Sequence, residues 1–287
     1  MIIITGAKGQ LGHDFQKIFT NLQIPFIATD FDELDITSKK ALSDFFTSLQ
    51  NRGITPSHII NCGAYNNVDK AESDCELCYN LNCEAPKNLA LIAKEYGAKF
   101  TTYSSDFVFD GEKGTSYIES DTTSPVSFYG KSKADGEKAV LDCYDKSLVI
   151  RTSWVFGVAN KNFNTQVMGW AKDKETLSIV DDQHSTPTYS YDLAYYSHLL
   201  FEKNQFGIFH LTNSGVASKY DQAAYLLKKI NWGGTLTKAK SSDFSLPAKR
   251  PPFSKLSTDK IESLLGLKIP PWEDGIDRYL TEIKKEQ

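Results

Sequence analysis

The sequence predicts an α/β fold, a doubly wound parallel sheet with a smaller C-terminal α/β part. Three observations carry this. Short, β-branched apolar runs recur through the first half of the chain, stretches of helical period separate them, and a glycine turn follows the first run directly. Strands that alternate with helices pair in parallel through right-handed crossovers, which gives a sheet covered on both faces rather than a sandwich or a bundle.

The strands are expected at Ile2–Thr5, 25–29, His58–Asn61, 99–104 and 148–151, each a short apolar run bounded by polar or glycine-containing segments. A helix follows the first strand, with Phe15, Ile18 and Phe19 on one face, and another begins at Phe128-Tyr129 and continues through Ala134, Glu137 and Val140. Beyond Trp154 the alternation loosens. Strands are expected at 177–180 and 208–211, helices at 191–202, 218–230 and 258–265, and the prolines of 246–252 and 269–271 mark ordered loops. Residues 1–156 are read as a dinucleotide-binding domain carrying the catalytic residues, and 157–287 as mainly substrate-binding, with a segment near 189–206 returning to the first core.

Composition narrows the class. With 40% hydrophobic and 24% charged residues in 287, the chain reads as globular, and its 32 basic and 36 acidic residues give no electrostatic reason for a nucleic-acid partner. The apolar run after Met1 is too short for a signal, and no stretch is long enough to span a bilayer. Five cysteines, an odd number without secreted-domain spacing, fit a reducing cytoplasm. Cys75 and Cys78 invite a redox or zinc reading, but no second pair or nearby histidine completes a site, so no metal is expected and the pair reads as two thiols on a helix.

Gly6-Ala7-Lys8-Gly9-Gln10-Leu11-Gly12 stands between strand and helix. Glycines there let the backbone approach a diphosphate and aim free helix N–H groups at its charge, which makes the sheet Rossmann-like and calls for a dinucleotide. The spacing is GxxGxxG rather than GxGxxG. Lys8 is expected near a phosphate. Asp30 closes the second strand, where a carboxylate accepts ribose hydroxyls; this favours NADH unless Lys8 compensates a 2′-phosphate, so NADPH and NADH both stay open. Asp35-Ile36-Thr37 reads as a helix N-cap entry beside the adenine.

Tyr129 and Lys133 are four apart on one helical face. A free tyrosine is a poor acid at neutral pH, and a neighbouring ammonium is expected to lower its pKa towards the working range. The fourth strand delivers Ser105 and Asp106 to the sheet edge where such folds bind ligands, and Ser105 is placed to hydrogen-bond a substrate carbonyl.

With these residues in order, the sequence resembles the extended short-chain dehydrogenases and, within them, the dTDP-4-dehydrorhamnose reductases. The local matches are Gly6 to Gly12, Leu34-Asp35-Ile36-Thr37, Asn61-Cys62-Gly63-Ala64-Tyr65 with Val68-Asp69-Lys70-Ala71-Glu72, Ser105-Asp106-Phe107-Val108-Phe109-Asp110-Gly111, Tyr129 with Lys133, Arg151-Thr152-Ser153-Trp154-Val155-Phe156, Asp182-Gln183 with Pro187-Thr188, and Lys249-Arg250-Pro251. The resemblance implies Ser105, Tyr129 and Lys133 as catalytic residues and a nucleotide-sugar substrate, reduced at C4 by NADPH or NADH. It further implies that Cys62, Gly63, Ala64 and Tyr65 line the cofactor, that Asn82 lies near the nicotinamide half, that Asp106 sits beside the sugar, that Trp154 packs on the substrate through its deoxysugar or thymine, and that Arg250 meets the diphosphate. A monomer or homodimer is expected, with no membrane partner.

Two places depart from the family pattern. His184-Ser185 follows the Asp-Gln pair where tyrosine or histidine with glycine is common, and Phe253 stands before Ser254 in place of an asparagine. Both leave the sugar's identity open. A 4,6-dehydratase would carry a glutamate where Phe107 stands. The regulatory subunit of methionine adenosyltransferase resembles these reductases too, and stays open as a non-catalytic alternative.

Overall fold

The computed structural model describes residues 1–286. The first part alternates β1 (Ile2–Thr5), α1 (Gln10–Asn21), β2 (Phe26–Thr29), α2 (Lys39–Asn51), β3 (His58–Asn61), α3 (Cys75–Tyr79), α4 (Ala85–Glu95), β4 (Lys99–Ser105), α5 (Phe128–Cys143) and β5 (Ser147–Thr152). After it come β6 (Val155–Phe156), α6 (Phe163–Asp173), β7 (Thr176–Val180), β8 (His184–Ser185), β9 (Thr188–Tyr189), α7 (Ser190–Glu202), β10 (Gly207–His210), β11 (Ala217–Ser218), α8 (Lys219–Lys229), β12 (Thr235–Ala239), α9 (Asp259–Leu265) and α10 (Trp272–Glu286).

The main sheet has six strands in the order β10-β5-β4-β3-β1-β2, paired in parallel throughout. Its strands are buried on both faces, so neighbouring residues feed opposite cores. Ile4, Ile60 and Ile150 pack under α1 and α7, while Ile3, Ile59 and Val149 pack under α2, α4 and α5. The segment expected at 208–211 is the sheet's edge strand β10, and α7 packs on the same face as α1. A third core joins Phe156, Val167, Leu177 and Ile179 to α8 and α10. No helix among the described residues is long and apolar enough to cross a membrane.

β1 pairs with β2 on one side and β3 on the other, so the winding reverses at β1. The crevice beyond the carboxyl ends of β1 and β3 is where an open sheet of this kind receives a ligand. One expectation is corrected here. The N-cap of α2 is Ser38, whose Oγ accepts the N–H of Ala41, and not the 35–37 segment. Asp35 instead accepts both the N–H and the hydroxyl of Thr37, a short Asx turn that satisfies its carboxylate before the helix begins.

Candidate active site

The glycine turn is shaped by backbone contact. Gly6 has φ +72°, and a Cβ there would stand 2.5 Å from the N of Gly63 on the loop after β3. A Cβ on Gly12 would stand 2.3 Å from the carbonyl O of Gly6. Only glycine lets these three backbones nest, and Ile36 closes over Gly63 from the other side. The N-cap of α1 is Gly9, which has no side chain to accept the first free N–H groups. They are left for an anion, so the cradle fits the diphosphate of a dinucleotide.

Around this cradle the expected cofactor residues divide. Gly9, Gln10, Leu11, Cys62 and Ala64 line a cleft of about 850 Å³ together with Ser105, Asp106, Tyr129, Lys133, Trp154 and Arg250. Gln10 also ties the turn to the loop after β6, its Nε2 donating to Asn160 O at 2.5 Å and its Oε1 accepting the N–H of Ala159 at 3.1 Å. Asp30, Asp35 and Ile36 do not line this cleft, and Asp30 directly follows β2. Asp30 accepts the backbone N–H of Lys8 at 2.7 Å. The Lys8 ammonium is paired with Asp32 at 2.6 Å, so its charge is already met on the protein. Asn82 does not line the cleft either. Its buried amide accepts from the N–H of Tyr65, donates to the Tyr65 carbonyl, and donates to Ser132 Oγ at 3.0 Å, bracing the loop after β3 against α5.

The reacting end is built where β4 stops. Ser105 caps the short turn 106–108 by accepting the N–H of Phe107, and its hydroxyl donates to Asp106 at 3.0 Å. Helix α5 starts against this turn, capped by Ser127, and Gly130 makes the approach possible because a Cβ would meet Phe107 O at 2.2 Å. That contact sets Tyr129 beside the end of β4, where it lines the same cleft as Ser105. Lys133 follows one turn on, 6.0 Å from the Tyr129 ring centre, and donates to the carbonyl of Tyr103 at 3.1 Å.

The electrostatics correct the expectation for Tyr129. Burial pushes its pKa up, and the lysine does not reverse it. The phenol is therefore held protonated. Burial also lowers Lys133 to about 8.

Asp106 is buried, and three hydroxyls donate to it: Ser105, Ser185 at 2.9 Å and Ser254 at 2.5 Å. Burial still raises its pKa. Ser185 and Ser254 belong to the two segments that depart from the family pattern, and these segments meet, His184 bridging to Phe253. Trp154 holds a left-handed backbone, φ +46°, at the cleft wall, and Arg250 makes a two-pronged ion pair with Asp69 at 3.0 and 2.6 Å.

A model of the family described as RmlD substrate binding domain matches residues 1–285. The chain belongs to this family. A curated RmlD-family relative, the dTDP-4-dehydrorhamnose reductase of Aggregatibacter actinomycetemcomitans, is 35% identical over 288 residues, covering 96% of each chain. The dTDP-4-dehydrorhamnose reductase of Clostridium acetobutylicum superposes with a TM-score of 0.93 at 34% identity, covering 99% of each chain. That of Bacillus anthracis, solved in complex with NADP, superposes with a TM-score of 0.92 at 32% identity over 98% of each chain.

In this RmlD-family chain, sequence reasoning passed over Lys219, Ser185 and Ser254. The serines stood inside segments whose oddity was visible, whereas Lys219, directly after the capping Ser218, has the look of a solvated helix start. A second cleft, of about 840 Å³, lies between residues 115–118, 213–215 and 255–271; its Lys268 is already paired with Glu262.

Proposed function

We propose that the chain reduces the C4 carbonyl of a nucleotide-activated 4-keto-6-deoxysugar, dTDP-4-dehydrorhamnose to dTDP-L-rhamnose, with NADPH or NADH. The observation that carries this is the buried Ser105, Tyr129 and Lys133 group opening into the same cleft as the glycine cradle. Close relatives named for this reaction support it.

The nicotinamide, when bound, supplies the hydride. Ser105 positions the carbonyl oxygen, and Tyr129 gives its proton to the oxygen as negative charge develops there, so that C=O becomes CH–OH. Lys133, half of its charge kept near pH 8, holds the cofactor's ribose and favours the tyrosinate left behind. Gly6, Lys8, Gly9, Gln10, Leu11, Gly12, Cys62, Gly63, Ala64, Tyr65 and Asn82 form or brace the cofactor cradle, with Asp30, Asp35 and Ile36 at its adenine end. Asp106 and Trp154 face the sugar, and Arg250 its diphosphate. Residues 1–156 bind cofactor and 157–287 mainly bind substrate, in a cytoplasmic monomer or homodimer.

Loss of nicotinamide absorbance with purified protein, dTDP-4-dehydrorhamnose and either cofactor tests the reading. Turnover that disappears in Tyr129→Phe is the expected result. Tight cofactor binding without turnover would overturn it.

A further inference from the structure

Lys219 opens α8 and lines the cleft, half-buried, with its Nζ 3.5 Å from the ring centre of Trp154 and 4.6 Å from that of Phe163. Two aromatic faces hold the ammonium, yet among the described residues it makes no hydrogen bond or ion pair. The charged groups that face it are Asp106, from the end of β4, and Arg250, from the loop before α9. Asp106 is already served by three hydroxyls, and Arg250 is already matched by Asp69.

A partly desolvated cation with no hydrogen-bonding acceptor is costly, and an anion entering the cleft removes that cost. A sugar hydroxyl, being neutral, leaves it in place. Trp154 carries a backbone conformation rare for a large side chain, and this places its ring under the ammonium. Lys219 also feels both Asp106, next to Ser105, and Arg250, and all three line the same cleft.

We infer that Lys219 binds the diphosphate of the nucleotide-sugar substrate, sharing it with Arg250, while Trp154 and Phe163 hold the ammonium in position. The inference rests on the nucleotide-sugar reading above. Burial lowers the lysine to about 7, so the free protein takes up a proton there as the anion binds at pH 7 or above.

The test is calorimetric titration of the full chain with dTDP and, separately, with thymidine, for wild type, Lys219→Met and Lys219→Arg, with melting temperatures to confirm folding. The methionine variant should bind dTDP about 30-fold more weakly, the loss of one charge-assisted contact, while thymidine binding stays the same and arginine restores most of the dTDP affinity. In turnover, the same variant should raise KM for dTDP-4-dehydrorhamnose with little change in kcat. The wild-type KM should climb as pH rises through about 7, and that of Lys219→Met should not. Equal losses for dTDP and thymidine, or a fall in kcat at constant KM, would overturn the assignment of Lys219 alone. Failure of wild type to bind dTDP would overturn the nucleotide-sugar reading and this inference with it.

Discussion

Arg151 grips Glu137 in the protein interior, Nε to Oε1 at 2.8 Å and Nη2 to Oε2 at 2.7 Å, with both side chains at most 5% exposed. The pair joins β5 to α5 one turn beyond Lys133, so the helix that carries Tyr129 and Lys133 is bolted to the sheet. Removing one charge strands the other in a low-dielectric site, which costs about 3–5 kcal/mol. Glu137→Gln should therefore lower unfolding stability by that order in urea denaturation, and a change under about 1 kcal/mol would mean water reaches the arginine.

Tyr129→Phe removes only the phenol hydroxyl, the proton donor of the proposed reduction. Turnover should fall by about 10²–10⁴, the usual worth of a positioned acid, while NADPH affinity and melting temperature stay close to wild type. Unchanged single-turnover rates would take Tyr129 out of the mechanism.

Two glycines of the turn should fail differently. A Cβ on Gly12 meets the Gly6 carbonyl at 2.3 Å, so Gly12→Ala must push backbone apart and should cost about 1–3 kcal/mol in stability. At Gly9 the nearest atom is that same carbonyl at 3.3 Å, and the residue lines the cleft. Gly9→Ala should fold normally and weaken NADPH in a fluorescence titration; the reverse pattern would refute the division.

Acid should weaken the fold through two buried histidines. Burial lowers both His58 and His210 to about 3, whereas an unfolded histidine titrates near 6.5. Between these values the unfolded chain binds the extra protons, so stability is full above pH 6.5 and is lost as pH falls towards 3. At pH 5 the loss is about 2 kcal/mol for each histidine. His210→Gln should remove about 2 kcal/mol of the stability lost in urea unfolding between pH 7 and pH 5, and an unaltered slope would shift the effect to other groups.

The amino-acid sequence alone determined what depends on neighbours along the chain. Period-2 and period-3.6 patterns place Ile3 and Ile4 on opposite faces of the sheet and Tyr129 and Lys133 on one helical face, and the glycines at 6, 9 and 12 between strand and helix announce a tight turn. These are local consequences of backbone geometry. Tertiary structure alone decided which distant groups share a dielectric and a charge. Ser185 and Ser254 reach Asp106 across 79 and 148 positions, Arg250 finds Asp69 across 181, and Lys219 settles on Trp154 from a different layer. The state of Tyr129 was set the same way: spacing from Lys133 argued for a lowered pKa, and the desolvation of a packed cleft raised it. Electrostatic terms depend on through-space distance and solvent exclusion, and neither is written in the order of residues.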